Sequence, residues 1–475
     1  MSSTFDDDRN EDSQMDERRE GEIREGEIRE GEIREGDALD EDTRHHVVII
    51  GCGFGGLFAA KSLRRVPVRV TVIDRTNHHL FQPLLYQVAT GILSEGQIAP
   101  AVRDVLRHHP SLRVVLGEVD SIDPVSRTVS ATELGGNRAT ISYDSLIVAG
   151  GAVTSYFGHD DYRDAALGMK SLNDALHLRG EIFGAFERAE QEEDEERCRA
   201  LMTFVVIGGG PTGVEMAGQL KELSRRALQH NYRRIDPDMT RVVLVEGGER
   251  LLAAMGGRVS RLTARDLTRM GVEVHLGAMV TDIGPDCVEL TQSDGTKLLI
   301  ASVTKVWAAG TRASPLGAEL ATATGAALDR SGRVQVAPDC SIPGYPEVFV
   351  VGDLMALDDL PALAEVAMQS GAHAARTIAR RLRGDTTMTP FHYRDLGTLA
   401  VISRFRAVAK IGPVQVGGFV GWTLWLVVHV TFLTGFKNRF AALARWTISF
   451  VGRGRYERAL TGRWVVEGGA PPGSA

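Results

Sequence analysis

The chain has 475 residues with a formal net charge of −8, and its 43% apolar content is enough for large buried cores. Its length suggests about three domains. The charge is uneven, because residues 1–44 carry 18 acidic and seven basic side chains, whereas residues 401–475 carry two acidic and ten basic ones. The average charge therefore does not exclude contact with an anionic surface at the C-terminal end.

The acidic segment 1–44 contains three consecutive copies of GEIRE, at 21–25, 26–30 and 31–35. A five-residue period matches neither a helix face nor a strand face, and the apolar content is too low to offset the entropy of ordering. We therefore predict a disordered tail, which either docks a partner or is a tolerated repeat expansion. It lacks the basic start and apolar stretch of a signal peptide, and its acidity favours a cytoplasmic N-terminus.

The first predicted strand, turn and helix begin at the apolar run HVVII (46–50), which GCGFGG follows. Gly51, Gly53 and Gly56 satisfy the G-x-G-x-x-G pattern, in which the glycines make the turn, admit a pyrophosphate and let the helix pack on the strand. The next strand ends at Asp74, a carboxylate suited to ribose hydroxyls. This unit predicts a dinucleotide site, and the alternative is a glycine turn of an α/β fold that binds no ligand.

The second such unit begins at TFVVI (203–207) and continues with GGGPTG. Gly208, Gly210 and Gly213 repeat the pattern, and Glu246 ends the following strand. A carboxylate in that place repels a 2′-phosphate, so it favours NAD over NADP. Two units in one chain indicate two dinucleotides, of which the usual pair is a tightly held flavin and an exchanging nicotinamide.

Further segments of the chain resemble the two-dinucleotide-binding flavoprotein reductases, and specifically the type II NADH:quinone oxidoreductases. These segments are NHHLFQPLLYQVATG (77–91), YDSLIVAGGAVTSYFG (143–158), TKVWAAGTRASPL (304–316), PEVFVVGDL (346–354) and PFHYRDLGTLAVI (390–402). The resemblance covers about 46–465. One departure is the pair Gly150-Gly151, where the family commonly has Thr-Gly.

The resemblance implies an α/β fold with two Rossmann-like dinucleotide-binding domains, one for FAD and one for NADH, and a C-terminal amphipathic helical region that attaches to a membrane. The expected bounds are 46–160 and 300–395 for the discontinuous FAD domain, 161–299 for the inserted NADH domain and 396–475 for the C-terminal region. In the second FAD segment, the resemblance implies that backbone approaches the flavin at Gly352 and that Asp353 binds it. A plain helix N-cap is the alternative for Asp353.

Hydride transfer from nicotinamide to flavin requires stacked rings and exclusion of water, whereas reduction of a quinone also consumes protons. The resemblance places Glu215, in GGGPTGVEM, near nicotinamide and quinone; a favourable contact with the helix dipole in the first helical turn is the alternative. Where the family usually shows A-Q-x-x-x-Q near the quinone, this chain has Glu365 and Gln369. Their i,i+4 spacing puts them on one helix face, and a solvated face is the alternative.

The C-terminal region begins with an uncharged stretch, 416–436, that as a helix is long enough to cross ~30 Å of hydrocarbon. The segment after it is a predicted basic amphipathic helix of the membrane interface. Four-residue spacing puts on one face Lys437, Ala441, Arg445 and Ser449. It puts on the other face Phe440, Leu443, Thr447 and Phe450, with Trp446 at the boundary. Interfacial helices, a spanning helix and buried dimer-interface helices remain open from the sequence, and the resemblance implies monotopic attachment.

We therefore predict an enzyme that moves hydride from NADH to FAD and then two electrons to a membrane quinone, without proton pumping. It is expected at the cytoplasmic face of the cell inner membrane, on an anionic lipid surface. Association into a homodimer stays open, and nucleic acid is excluded because the basic residues alternate with long apolar runs. The alternatives are a related FAD-dependent pyridine-nucleotide oxidoreductase with another donor or acceptor, a sulfide:quinone oxidoreductase and a non-catalytic membrane NADH sensor.

The cysteines decide among some of these alternatives. The chain has four, Cys52, Cys198, Cys287 and Cys340, and no two of them form C-x-x-C or C-x₄-C. This spacing predicts free thiols in a reducing compartment, no metal site and no disulfide reductase. A sulfide oxidoreductase would have to use the distant pair Cys198 and Cys340, and it does not need the complete second glycine turn.

Overall fold

The structure, a computed structural model, describes residues 43–452 and 454–460, apart from the side chain of Phe436. The repeat-containing tail that was predicted to be disordered lies outside the described residues except for its last two. From His45 onward the described residues belong to one unit.

More than half of the strands lie in two sheets, one of them mixed with a parallel centre and the other parallel throughout. In chain order they are β1 (His46–Ile50), β2 (Arg69–Asp74), β3 (Leu112–Asp123), β4 (Thr128–Glu133), β5 (Arg138–Ser142), β6 (Ser145–Val148), β7 (Ala152–Thr154), β8 (Leu167–Gly168), β9 (Thr203–Ile207), β10 (Arg241–Glu246), β11 (Val272–Leu276), β12 (Ala278–Ile283), β13 (Cys287–Gln292), β14 (Lys297–Ala301), β15 (Thr304–Trp307), β16 (Thr311–Ala313), β17 (Val334–Gln335), β18 (Ser341–Ile342), β19 (Tyr345–Val350), β20 (Met355–Ala356), β21 (Thr398–Ser403), β22 (Arg406–Ile411) and β23 (Val414–Gly417).

The helices connect these strands or follow them at the C-terminal end. In chain order they are α1 (Phe54–Leu63), α2 (Leu85–Ala89), α3 (Glu95–Ile98), α4 (Val102–Val105), α5 (Leu172–Gln191), α6 (Glu195–Leu201), α7 (Pro211–Glu222), α8 (Gly257–Met270), α9 (Leu316–Thr324), α10 (Ala364–Arg381), α11 (Gly418–Phe432) and α12 (Phe436–Val451).

The first sheet has eight strands in the order β18-β19-β6-β1-β2-β3-β4-β5. Its centre is parallel, because β1 pairs with β2 and β6, and β6 pairs with β19. The central strands are continuous apolar runs, and all five residues of β1 are buried, as expected for a sheet covered on both faces. Strands from the two ends of the chain thus form one sheet, with β19 entering from residues after 340.

The second sheet is parallel throughout, in the order β11-β10-β9-β15-β8, and an antiparallel sheet of β12, β13 and β14 accompanies it. In each sheet one strand, β1 or β9, is followed by a glycine-rich turn and a helix, which confirms the predicted α/β class. β14, which ends at Ala301, spans the predicted boundary at 299/300, and β15 pairs with β9 of the second sheet. These pairings favour a boundary after Trp307, and the domain bounds stay a prediction.

The C-terminal stretch is folded against the rest of the unit. The antiparallel sheet β21-β22-β23 packs on α7, and α11 and α12 follow it. Their core is shared with the second sheet, and it includes Trp425 and Trp446, which are almost fully buried. Among the described residues, the structure contains no helix with the length and apolar character needed to cross a membrane.

The predicted faces of α12 require correction. Trp446 does not lie at a boundary; it is 2% exposed, and its Nε1 donates a hydrogen bond to Oε1 of Gln87 at 2.6 Å. Ser449 and Phe450 were predicted on opposite faces, yet both are buried, while Phe440 is 71% exposed. The reason is tertiary: α12 packs against α11 and α3, and this packing, rather than the charge pattern, selects the inner face.

Candidate active site

The first glycine turn, between β1 and α1, has the geometry of a phosphate cradle. Gly51 has a φ of +89°, and a Cβ atom there would lie 2.5 Å from the carbonyl oxygen of Ala149. A Cβ at Gly56 would lie 1.8 Å from the carbonyl oxygen of Gly51, so α1 packs on the turn only because residue 56 lacks a side chain. A Cβ at Gly53, in contrast, would meet no atom within 4 Å. This open side, at the N-terminus of α1, fits a pyrophosphate.

Asp74 ends β2 directly beside this turn. Its Oδ2 accepts a hydrogen bond from the backbone nitrogen of Cys52 at 2.5 Å. Its Oδ1 accepts hydrogen bonds from the backbone nitrogen and Oγ1 of Thr76, at 2.7 and 2.8 Å. These bonds fix the carboxylate next to the turn, where the sequence interpretation needs a partner for ribose hydroxyls.

The second glycine turn, between β9 and α7, repeats the geometry of the first. Gly208 has a φ of +111°, and a Cβ there would lie 2.6 Å from the carbonyl oxygen of Ala308. A Cβ at Gly213 would lie 1.8 Å from the carbonyl oxygen of Gly208, and a Cβ at Gly210 would meet no atom within 4 Å. In both turns, therefore, close backbone contacts leave no room for a side chain at the first and third glycines, whereas the second glycine faces open space.

Glu246 ends β10 beside the second turn. Its Oε2 accepts a hydrogen bond from the backbone nitrogen of Gly209 at 2.5 Å, and its Oε1 accepts one from Gly248 at 2.7 Å. In front of it opens a cleft of about 480 Å³, a size suited to a nucleotide. The cleft is lined in part by Gly210, Glu246, Arg250, Tyr393, Asp395 and Lys410.

Sequence reasoning did not find several of these lining residues. Arg250 follows Glu246 by four positions, which is the only signal the sequence offers for it. Tyr393 and Lys410 come from the C-terminal stretch, more than 140 residues further along the chain, and no motif connects them with the cleft.

The second predicted FAD segment forms a turn after β19 and lies beside α10, the helix that packs against α1. Gly352 has a φ of +70°, and the Oδ2 of Asp353 pairs with Nζ of Lys170 at 3.3 Å. A Cβ at Gly371 in α10 would lie 2.1 Å from the carbonyl oxygen of Gly55, so the two helices are in backbone contact. The structure thus gathers this segment and the first turn, and it adds Lys170, a residue that no sequence motif indicated.

Glu215 lies on the buried face of α7 and is 7% exposed. Its Oε1 accepts a hydrogen bond from the backbone nitrogen of Val401, on β21, at 3.2 Å. Burial raises the pKa of the Glu215 carboxyl well above its usual range, and the bond from Val401 opposes this only in part. Because α7 begins at Pro211, Glu215 is its fifth residue and not a residue of the first turn, contrary to the sequence interpretation.

Glu365 and Gln369 hold the same loop, as their common helix face predicts. One oxygen of Glu365 accepts hydrogen bonds from the hydroxyl of Tyr393 at 3.2 Å and the backbone nitrogen of Leu396 at 3.3 Å. The amide of Gln369 bonds both backbone groups of Arg394, at 2.9 and 3.0 Å. Burial raises the pKa of Glu365. Since Tyr393 also lines the cleft, these two side chains fix one of its walls.

The fold and the two dinucleotide cradles define a pyridine nucleotide-disulphide oxidoreductase, and the model of that family matches residues 45–371. All four cysteines are nevertheless free thiols. The chain is 50% identical over 420 residues to the type II NADH:quinone oxidoreductase Ndh of Mycobacterium tuberculosis, which covers 88% of this chain and 90% of that relative. It is 28% identical over 394 residues to the enzyme of the same name from Haemophilus influenzae, covering 77% and 87%. The chain belongs to the type II NADH:quinone oxidoreductase family.

Solved structures agree with this fold. The structure of NDH2 from Plasmodium falciparum in complex with NADH matches with a TM-score of 0.80 and 18% identity, over 87% of this chain and all of that one. The sulfide:quinone oxidoreductase of Aquifex aeolicus matches with a TM-score of 0.66 and 19% identity, over 86% of this chain and 95% of that one. At these identities the likeness concerns the fold alone.

Proposed function

We propose that the enzyme moves hydride from NADH to bound FAD and passes two electrons to a membrane quinone, without pumping protons. The observation that carries this proposal is the pair of glycine cradles, each with an open second glycine, in a chain that is 50% identical to a type II NADH:quinone oxidoreductase. The second cradle opens into a cleft of about 480 Å³, which suits an exchanging dinucleotide.

The turn between β1 and α1, the end of β2 and the turn after β19 would hold FAD, which supplies a ring that accepts hydride and gives up electrons. The residues that would do so are Gly51, Gly53, Gly56, Asp74, Gly352 and Asp353. The open space beside Gly53 fits the pyrophosphate, and the fixed carboxylate of Asp74 fits a ribose. Lys170, which pairs with Asp353, would offset the negative charge of that carboxylate beside the bound flavin nucleotide.

The second turn would bind NADH through Gly208, Gly210, Gly213 and Glu246. Both oxygens of Glu246 accept hydrogen bonds from backbone nitrogens, which fixes the side chain at the wall of the cleft. A 2′-phosphate at this place would meet the carboxylate of Glu246, so the geometry supports a preference for NADH over NADPH.

Glu215, Glu365 and Gln369 would serve the quinone side of the reaction. Burial favours the protonated form of Glu215, so this group can hold a proton that quinone reduction consumes. Glu365 and Gln369 would hold in place the loop that contains Tyr393, and this loop forms one wall of the cleft. In this arrangement the acidic residue at 365 keeps a positioning role that an amide could also fill.

The C-terminal helices would attach the enzyme to an anionic bilayer surface at the cytoplasmic face of the inner membrane. Large apolar side chains are exposed on them, among others Phe419, Val420, Val427, Phe440 and Val451. Such side chains on one surface mark a site of contact with lipid or another apolar partner. The double variant Val427→Asp/Phe440→Asp should lower recovery with phosphatidylglycerol vesicles in flotation at least fivefold. Val125→Asp, an exposed apolar position on a strand connection, is the control and should float like the wild type.

One experiment tests the enzymatic proposal directly. Protein purified in mild detergent should show a flavin spectrum, lose the flavin absorbance on addition of NADH and regain it with a short-chain quinone. Protein without a flavin chromophore would refute the FAD assignment. A flavin that NADH bleaches but no quinone restores would refute the acceptor and favour another member of the wider class.

The sulfide oxidoreductase alternative is disfavoured by the placement of its cysteines. Cys340 is fully buried in the core of the first sheet, whereas Cys198 packs against a separate small cluster. The two thiols therefore lie in different hydrophobic clusters and are both free in this structure.

A further inference from the structure

A second cavity, of about 240 Å³, lies where α1, α10, α11 and the stretch 391–396 meet. Its apolar lining includes Phe58, Phe391 and Phe432, one from each of three separate parts of the chain. Its polar lining consists of Gln369, His373, Arg376 and His392, and it includes no acidic residue. We call this space the α10 cavity.

The positive side of the α10 cavity is unpartnered. Arg376 is exposed and makes no ion pair or hydrogen bond within the described part of the chain. Gln369 carries no charge, and both polar atoms of its amide are engaged with the backbone of Arg394. Arginine binds phosphate oxygens through two parallel hydrogen bonds, so an anionic phosphate is the ligand group that this lining favours.

The buried side of the α10 cavity contains a histidine ring nitrogen that has no hydrogen-bond partner in the described structure. His373 is 8% exposed, and its Nε2 is buried without a partner in the described structure. Burial, and then the charge of Arg376, lowers the pKa of His373, whereas an interaction with the backbone of Thr389 raises it. A neutral imidazole whose single N–H faces that backbone leaves Nε2 as an acceptor, which a ligand hydroxyl can satisfy.

The α10 cavity adjoins the surface proposed to contact the bilayer. Phe432 belongs to α11, and Val427 and Thr431 on the same helix are exposed at i,i+4 spacing. A lipid with its acyl chains along that face would have its headgroup beside Phe432. A phosphate near Arg376 and a headgroup hydroxyl near His373 are the two polar groups that the cavity lacks.

We propose that the α10 cavity binds the headgroup of an anionic phospholipid, with its phosphate on Arg376 and a headgroup hydroxyl on His373. The proposal rests on the membrane attachment proposed above. Phosphatidylglycerol offers both groups, whereas phosphatidylcholine has no headgroup hydroxyl and brings a cation next to Arg376 and His392.

Calorimetric titration of the full chain in mild detergent tests the proposal, with dihexanoyl-phosphatidylglycerol below its micelle concentration as the probe. Arg376→Gln should weaken binding at least tenfold and His373→Phe at least threefold. Arg383→Gln, an exposed arginine outside the α10 cavity, should match the wild type. Melting curves establish that each variant is folded. Weaker binding by both Arg376→Gln and His373→Phe would show that the result does not depend on a single variant.

Several outcomes would overturn the proposal. Equal affinity for inorganic phosphate would mean a free-anion site, and equal affinity for dihexanoyl-phosphatidylcholine would mean no recognition of the anionic headgroup. Displacement of the lipid by a short-chain quinone would assign the cavity to the quinone. Equal binding by Arg376→Gln and Arg383→Gln would place the lipid elsewhere. Flotation separates this from the attachment proposal, because a wild type that fails to float with phosphatidylglycerol vesicles refutes the attachment itself.

Discussion

Two neighbouring glycines of the second turn should respond to alanine in opposite ways. A Cβ at Gly213 would lie 1.8 Å from a backbone oxygen, whereas real Cβ atoms keep at least 3.0 Å, so α7 would have to move by about 1.2 Å. A Cβ at Gly210 would meet nothing within 4 Å. The backbone of Gly210, with φ of −71° and ψ of −179°, is ordinary for alanine.

The magnitudes follow from these contacts. Overpacking costs about 1–3 kcal/mol, and Gly213→Ala belongs at the upper end because the clash involves backbone. The unit extends from His45 to the C-terminus. At an unfolding entropy of about 2.1 cal/mol/K per residue, the melting temperature of a unit of this length falls by about 1 °C per kcal/mol, so Gly213→Ala should lower it by about 3 °C. Gly210→Ala should leave stability equal or raise it by about 0.4–1 kcal/mol. Its methyl group would instead occupy the side that a pyrophosphate approaches, so KM for NADH should rise about tenfold, or 1.4 kcal/mol.

Thermal melting without NADH and steady-state kinetics with varied NADH measure the two effects. An unchanged KM in Gly210→Ala would show that the open side of the turn does not face the nucleotide. An unchanged melting temperature in Gly213→Ala would show that α7 does not pack on the turn as described. The matched pair Gly53→Ala and Gly56→Ala in the first turn is the control, since it should change flavin content and leave KM for NADH unaffected.

Three further changes probe the carboxylates of the site. Glu246→Arg should raise KM for NADH at least tenfold and improve use of NADPH. Kinetics with NADH and with NADPH that are the same in the variant and the wild type would refute the assignment. Glu215→Gln should lower quinone turnover by about 10²-fold, the lower end for general acid catalysis, while flavin reduction by NADH in a stopped-flow experiment stays intact. Because burial raises the pKa of Glu215, the folded wild type binds a proton that the unfolded chain has lost, so its stability falls as pH rises above 4.5 towards the folded pKa. The glutamine variant should lack this slope in melting curves taken across that range. Glu365→Ala should raise KM for NADH by about fivefold, the factor that corresponds to the ~1 kcal/mol of one hydrogen bond, because it releases Tyr393 from the cleft wall. Glu365→Gln should leave KM unchanged, and equal effects of both variants would refute the positioning role.

Features that depend on local backbone chemistry could be predicted from the sequence. The two glycine turns are examples, because the positive φ of Gly51 and Gly208 and the close packing at Gly56 and Gly213 follow from residue spacing alone. The carboxylates at the ends of β2 and β10 follow from the same pattern, since a strand of known start has a known end.

Features that depend on distant segments could not be predicted in this way. Lys170 meets Asp353 across 183 positions, and Tyr393 reaches Glu365 from a loop that no periodicity marks. The faces of α12 were predicted from charge spacing, but the packing of Trp446 against Gln87 determines which side is buried. In such cases the hydrophobic pattern limits which helix faces can be buried, and the tertiary contacts determine which of them is.

The C-terminal stretch contributes both to the surface and to the environment of Glu215. A Cβ at Gly218 in α7 would lie 1.8 Å from the carbonyl oxygen of Ile402, so β21 contacts α7 at a distance that only glycine allows. The neighbouring residue Val401 donates the hydrogen bond that Glu215 accepts. Burial is the main cause of the raised pKa of Glu215, and β21 supplies part of that burial. The strand that leads to the apolar outer helices is therefore also the one that holds the buried carboxyl of Glu215 in place, and a change in its packing on α7 would alter the protonation of Glu215 before it altered either nucleotide cradle.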